Sequence, residues 1–230
     1  MKLSIIIPVY NENNTIEDVI NRTLKLSIKN KEIIVVDDGS TDETREILDK
    51  YRINNNNSEL KIVMHDRNYG KGIAIQTGLK HTTGDIVCIQ DADLEYNPDQ
   101  IPKLFLEFIN NPDIDAVFGS RFLKENPNIY KRYLWGNKFI TFLINLFYSS
   151  KYTDSYTCYK LIKSNVLKKL NLESKRFEVE AEISIKLAKM RYKIKELPID
   201  YNPRTLQQGK KIGFKDAIKG ILTILKYKFK

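Results

Sequence analysis

The sequence predicts an α/β domain built on a doubly wound, mainly parallel sheet with helices on both faces. Three observations lead there. Short apolar, β-branched runs alternate with segments of helical periodicity through the first 120 residues, the pattern of strand–helix–strand units. Those runs are apolar on both faces, as strands covered by helices must be. The polar and acidic clusters fall at the carboxyl ends of the runs, where open α/β sheets bind ligands.

Leu3 to Val9 is the first strand, with Pro8 near its end. Thr15 is placed to cap a helix that carries Ile16, Val19, Ile20 and Leu24 on one face. Glu32 to Val36 is the second strand and runs into Asp37-Asp38-Gly39-Ser40-Thr41-Asp42. Ser40 or Thr41 is the expected N-cap of the next helix, which carries Ile47 and Leu48. The asparagines at 54–57 read as a surface loop. Leu60 to Met64 is the third strand, Gly70 to Lys80 a glycine-opened helix, and Asp85 to Gln90 the fourth strand. Pro98 and Pro102 frame the start of a helix through Asn110, and Ile114 to Gly119 is again strand-like. Trp135 to Tyr148 is apolar nearly all round, with a narrow polar stripe of Lys138, Thr141 and Asn145. Val179 to Met190 reads as an amphipathic helix and Ile194 to Ile199 as a strand. The last helix places Phe214, Ala217, Ile218, Ile221, Leu222, Leu225 and Phe229 on one face, its lysines mostly elsewhere.

A chain of 230 residues with 42% hydrophobic content fits one large α/β domain, or one domain with a C-terminal appendage. Cys88 and Cys158 are too few for a disulfide framework and read as small core residues in a reducing, cytoplasmic setting. Only His65 and His81 are present, so no zinc spacing exists. The opening apolar run is too short for a signal peptide, and the longest later one, Phe139 to Tyr148, is half of a membrane span. The net charge of +9 is uneven: residues 206–230 hold seven lysines against one acid, Asp216. No nucleic-acid motif accompanies them, which leaves anionic lipid or phosphorylated substrates as partners, with solubility as an equally sufficient reason for much of the lysine.

The run Ile86 to Ile89 ends in Asp91, Asp93 and Glu95, three carboxylates at alternate positions. They repel one another unless a cation lies between them, and oxygen ligands suit Mg2+ or Mn2+ beside a substrate phosphate. An acidic turn after a strand accounts for the same three residues. The remaining clusters decide between these readings: Pro8-Val9-Tyr10-Asn11-Glu12, the acids from Asp37, Arg67-Asn68-Tyr69-Gly70-Lys71-Gly72, and Phe118-Gly119-Ser120-Arg121-Phe122. In this order they resemble the inverting glycosyltransferases of family two, which have the Rossmann-like GT-A fold. The later segments Asp154 to Leu161, Phe177 to Glu180, Pro198 to Tyr201, Arg204 and Gly209 to Ile212 narrow the likeness to the dolichyl- and polyprenyl-phosphate sugar transferases. The family commonly has glutamine where this chain has Glu95, and often Gly-Phe in place of Cys158-Tyr159.

The resemblance implies one GT-A domain over residues 1–230: a nucleotide-sugar and metal half at 1–120, an acceptor half at 121–213, and an amphipathic basic helix at 214–230. It implies a GDP- or UDP-hexose donor, with Pro8, Tyr10 and Glu12 lining the nucleotide pocket and Asp37 and Asp38 near base and ribose. Gly70 and Gly72 let backbone approach the donor, and Lys71 adds a cation there. Asp91, Asp93 and Glu95 are the implied ligands of Mg2+ or Mn2+. Arg204, Lys210 and Lys211 lie on a loop that closes over the diphosphate. Arg121 matches the acceptor-phosphate arginine, and Arg132 is a second candidate. A lipid monophosphate is already a nucleophile, whereas a sugar hydroxyl acceptor would need a base, for which Glu178 and Glu180 are available. Two further expectations are peripheral attachment to the cytoplasmic face of a membrane through the last two apolar helices, and a separate membrane-anchored partner. A glycan-hydroxyl acceptor and a non-catalytic nucleotide-sugar-binding protein remain as alternatives.

Overall fold

The computed structural model describes residues 1–53, 58–126, 131–204 and 214–229, without the side chains of 131–133 and 214–215. The asparagine run at 54–57, Lys210 and Lys211 lie outside those residues, as do the side chains of Arg132 and Phe214.

Seven strands form one sheet in the order β3-β2-β1-β4-β6-β5-β7. Strands β1 (Leu3–Val9), β2 (Lys31–Asp37), β3 (Leu60–Met64) and β4 (Ile86–Ile89) are parallel neighbours. Each is a run of isoleucine and valine because helices cover both of its faces; Ile5, Ile6, Ile7, Ile33, Val35 and Ile89 are fully buried. From β1 the chain passes outward to β2 and β3, then returns to β4 on the other side. That reversal opens a crevice at the carboxyl ends of β1 and β4. Strand β5 (Ala116–Ser120) pairs in parallel with β7 (Ile194–Pro198), and β6 (Lys160–Lys163) lies antiparallel between β4 and β5. Both cysteines are buried and free, in keeping with their reading as core residues.

The helices are α1 (Ile16–Leu24), α2 (Thr44–Ile53), α3 (Lys71–Leu79), α4 (Ile101–Asn110), α5 (Lys131–Tyr148), α6 (Ser164–Lys169), α7 (Val179–Lys189) and α8 (Phe214–Phe229). Two expected caps differ. Thr15 precedes α1, but its hydroxyl donates to the Ala92 carbonyl at 2.7 Å instead of capping. Helix α2 starts later than Ser40 or Thr41 would allow, and Asp42 accepts the Thr44 N–H at 3.0 Å. Ser40 is already engaged, accepting the Asn11 N–H at 2.9 Å.

The largest departure concerns α7. Helix α7 is buried almost all round, Glu180 and Glu182 included, because α5 and α8 pack over its outer side. On α5 two of the three polar-stripe residues point inward, while Lys138 is exposed: Thr141 meets Ser155 Oγ at 2.9 Å and Asn145 donates to the Tyr152 carbonyl at 2.8 Å. Trp135, Phe139, Phe142 and Leu146 face out, between 53% and 69% exposed. Helix α8 does the same. Thr223, Ile224 and Tyr227 are buried, while Ile218, Leu222, Leu225 and Phe229 are exposed. Both exposed sets repeat at i, i+4, i+7 and i+11, so each makes one continuous helical face. Among the described residues no helix is long and apolar enough to cross a membrane.

At the amino end of the sheet, Glu32 accepts hydrogen bonds from Lys2 Nζ (2.7 Å), Ser4 Oγ (2.5 Å) and the Thr83 N–H (2.6 Å). Burial alone would raise its pKa, but these donors outweigh burial and hold it down at about 2. A carboxyl with a lowered folded pKa adds stability above its ordinary value of 4.5, and loses it as pH falls through the folded value. Glu32→Gln is expected to cost about 2 kcal/mol at pH 7, the difference narrowing as pH approaches 2. Urea unfolding of both proteins across that range measures it.

Candidate active site

The crevice is built by two turns with strained backbones. Asn11, after β1, has φ +50, and Leu94, after β4, has φ +58. Neither is glycine, so the surrounding contacts must hold them in the left-handed region. Asn11 is fastened to the β2 exit, its Oδ1 accepting the Thr41 N–H at 2.8 Å. Leu94 lies between Asp93 and Glu95 and is held by what those two acids bind.

Arg204 ties these turns together. Its Nη2 lies 2.7 Å from Glu12 Oε2, its Nε donates to the Asp93 carbonyl at 2.9 Å, and its backbone N–H reaches Glu95 Oε1 at 2.8 Å. Its guanidinium also donates to Thr15 Oγ1 at 3.2 Å. Residues from both strand ends and from the carboxyl side of β7 therefore meet at one point, 109 positions apart in the longest Glu95 contact. Glu95 also accepts the Tyr201 hydroxyl at 2.5 Å. Pro8 and Tyr10 are half-buried at the β1 end of the same crevice.

The acids are unequally neutralised. Asp91 Oδ1 is 2.6 Å from the Lys71 ammonium, which also lies 2.9 Å from Glu180 Oε1. Burial lowers the Lys71 pKa, but the two carboxylates more than reverse this and hold it well above the ordinary lysine value. Asp93 has no such neighbour. Desolvation in the crevice, with the charges of Asp91 and Glu95 added, pushes its carboxyl up to about 7 against the pull of Arg204. Among the described residues no trio of acid, histidine or cysteine side chains is gathered on one point ready for a cation. The donor chemistry still suits a hard divalent ion: two carboxylates two residues apart, one of them disfavoured as an anion by burial beside two like charges. Asp91 and Asp93 fit that ion best. Both oxygens of Glu95 are engaged by Tyr201 and Arg204, which makes it the anchor of the 201–204 segment here.

Asp37 and Asp38 are placed differently from the expectation. Asp37 is fully buried and accepts Arg45 Nε at 2.9 Å and the Ser40 N–H. Asp38 accepts His65 Nδ1 at 2.9 Å, the Tyr69 N–H at 3.0 Å and the Gly70 N–H at 2.7 Å. These acids brace the strand ends that wall the pocket, because a buried carboxylate must fill its lone pairs from the protein. The glycines likewise make room for the chain itself. A Cβ on Gly70, at φ +106, would stand 2.4 Å from the Lys175 carbonyl oxygen, and one on Gly72 2.2 Å from that of Ser174.

Arg121 is also committed. Its Nε and Nη2 donate to the two oxygens of the fully buried Asp154 at 2.7 and 2.8 Å, and its guanidinium lies 5.1 Å from the Tyr201 ring centroid. Of its five N–H donors two go to Asp154, and the other three meet no acceptor among the described residues. Of the two candidate bases, Glu180 is held by Lys71 and, at 2.6 Å, by Lys160, while Glu178 Oε1 accepts the N–H groups of Lys175 and Arg176. Glu178 Oε2 has no hydrogen-bond partner among the described residues, so of the two only Glu180 is held by lysines. Thr15, Tyr201, Asp154 and Lys160 contact Arg204, Glu95, Arg121 and Glu180, and the sequence alone gives them no part in the site. Only a pairing across the fold reveals them, although the buried strand lysine Lys160, lying in an apolar run, was a signal of a hidden acid.

Comparisons with known proteins agree with this architecture. An archaeal dolichol-phosphate mannosyltransferase from Pyrococcus furiosus is 30% identical over 93% of this chain, which spans 60% of that protein. An undecaprenyl-phosphate 4-deoxy-4-formamido-L-arabinose transferase from an Enterobacter species is 42% identical over 45% of the chain and 32% of its own length. The chain thus spans less than two thirds of each of these relatives. Among solved structures, glucosyl-3-phosphoglycerate synthase from Mycobacterium tuberculosis, in complex with Mn2+, UDP and phosphoglyceric acid, superposes with a TM-score of 0.75. That alignment covers 99% of this chain and 78% of the other at 20% identity, a likeness of fold. The sheet order, with its crevice at the β1–β4 reversal, is thus the GT-A arrangement. Residues 4–170, which contain that crevice except Glu180, Tyr201 and Arg204, match the profile described as Glycosyl transferase family 2. The chain belongs to that family.

Proposed function

We propose that this domain transfers a hexose, with inversion, from a GDP- or UDP-sugar to a polyprenyl or dolichyl phosphate at a membrane surface, using Mg2+ or Mn2+. The observation that carries the proposal is the meeting of Arg204, Lys71 and three carboxylates at the β1–β4 crevice. Asp91 and Asp93 would hold the metal, with Glu95 a third ligand if it leaves Tyr201, and the ion supplies charge stabilisation to the departing diphosphate. Arg204, with Lys210 and Lys211 on the segment that follows it, offers cations to the same phosphates. Pro8, Tyr10 and Glu12 line the nucleotide side, braced by Asp37 and Asp38. Arg121 takes the acceptor phosphate with its three remaining N–H donors, and Arg132 stands as a second candidate.

An acceptor that is already anionic needs no base. The pairing of Glu180 with both Lys71 and Lys160 favours it over a sugar hydroxyl. The relatives named for dolichyl and undecaprenyl phosphate support the same choice. The outward faces of α5 and α8 suit a lipid acceptor, since adjacent apolar helix faces bordered by Lys138 and Lys219 match an anionic bilayer interface. Their attachment would place the domain peripherally, on the cytoplasmic side, with or without a membrane-anchored partner.

The test has two arms. Thermal shifts against GDP- and UDP-sugars with Mn2+ identify the donor, followed by transfer of radiolabelled sugar to phosphorylated polyprenol. Label appearing only on a glycan hydroxyl, or none transferred from any donor, overturns the acceptor assignment. In the second arm the protein is spun with anionic vesicles at moderate salt. Sedimentation is expected, and its loss in the double variant Phe139→Glu, Phe142→Glu; wild-type protein left in solution removes the membrane face from the proposal.

A further inference from the structure

Lys71 occupies the place a metal would need. Its ammonium is 2.6 Å from Asp91 Oδ1, one of the two carboxylates assigned to the ion, and is nearly excluded from solvent. A divalent ion that takes Oδ1 of Asp91 displaces this ammonium, and a buried ammonium cannot withdraw into nothing. A second acceptor stands ready. Glu180 Oε1 lies 2.9 Å from the same Nζ, is buried, and receives no well-aligned hydrogen bond among the described residues. Its other oxygen is clamped at 2.6 Å by Lys160, which is itself completely buried and also donates to the Thr157 carbonyl. Glu180 is therefore fixed from behind and cannot follow Asp91 when that side chain turns to a metal.

We infer that Glu180 is a positioning residue, the second berth of Lys71, to which the ammonium shifts when a divalent cation takes Asp91. The four groups Asp91, Lys71, Glu180 and Lys160 form an alternating chain of charges. Without metal, Lys71 is shared by two acids; with metal, it neutralises Glu180 and leaves Asp91 to the ion. The exchange keeps every buried charge paired in both states, which a lone lysine opposite Asp91 could not do. It rests on the assignment of the metal to Asp91 and Asp93.

Mn2+ binding without nucleotide, followed by the electron paramagnetic resonance signal of the free ion, tests it apart from turnover. Lys71→Met removes the competitor and is expected to tighten Mn2+ about tenfold, whereas Glu180→Gln removes the berth and should weaken it by about as much. In the Lys71→Met background Glu180→Gln should change binding less than about twofold, since no ammonium remains to be received. An equal weakening in both backgrounds would mean that Glu180 acts only through its long-range field, and would overturn the inference. A crystal structure of the wild-type protein with Mn2+ gives the answer even if a variant fails to fold. Lys71 is expected beside Glu180 and away from Asp91, and an unchanged contact with Asp91 overturns the exchange. Wild-type protein that binds no Mn2+, alone or with a nucleotide, refutes the metal assignment and the inference together. Normal Mn2+ binding with additive variants removes the inference alone.

Discussion

Asp93→Ala is expected to lower sugar transfer roughly 1,000-fold while making the metal-free protein more stable at neutral and alkaline pH. The two effects have one cause. Burial, with Asp91 and Glu95 nearby, pushes the Asp93 carboxyl up to about 7, so the folded protein holds its ionised form at a cost. For an acid whose folded pKa is raised, stability is fully present below the ordinary value of 3.8 and is lost as pH rises through the folded value. The wild-type protein should therefore lose about 2 kcal/mol relative to the alanine variant between pH 4 and pH 8, after allowance for solvent reaching the half-open crevice. Thermal unfolding with and without Mn2+ measures it, because the ion should restore the lost stability to the wild-type protein and not to the variant. Wild-type turnover in Asp93→Ala, or a variant that is less stable at every pH, would remove Asp93 from the metal site.

Arg121→Ala should instead damage the fold. Removing the guanidinium leaves Asp154 fully buried with no counter-charge at the end of β5, and breaking one side of a buried pair costs about 3 to 5 kcal/mol. A marginally stable domain would be largely unfolded by that loss at 37 °C. The double variant Arg121→Met, Asp154→Leu should recover most of the stability, since no unpaired charge then remains. Arg121→Lys keeps the charge but cannot reproduce the bidentate fork. It is expected to fold, to bind donor normally and to raise the acceptor KM about tenfold. Equal losses in donor binding and acceptor use in that variant would show that Arg121 does no more than hold β5.

Most strands and the helices between them were legible in the sequence because a parallel sheet under helices demands uninterrupted Ile and Val. Runs such as Leu3 to Val9 and Ile86 to Ile89 admit little else. Strand β6 was not legible. It has four residues, two of them lysines, and its partner strands are far away in sequence. Which face of α5 and α8 the protein covers was not legible for a related reason. Periodicity tells which residues share a helix face but not which face the protein covers. In α5 Thr141 and Asn145 turn inward, where they find hydrogen-bond partners, and in α8 Thr223, Ile224 and Tyr227 take the covered side.

By itself, the sequence determined the order of strands and helices and the positions of the acidic and glycine-rich turns at their ends. It thereby also determined the family, because those features are local and short-range. The tertiary structure alone decided which charges meet. Arg204 reaches Glu12 across nearly the whole chain, Lys71 stands between Asp91 and Glu180, and Asp154 claims Arg121. Such pairings arise from the satisfaction of buried charges by whatever the fold brings near, and no spacing along the chain encodes them.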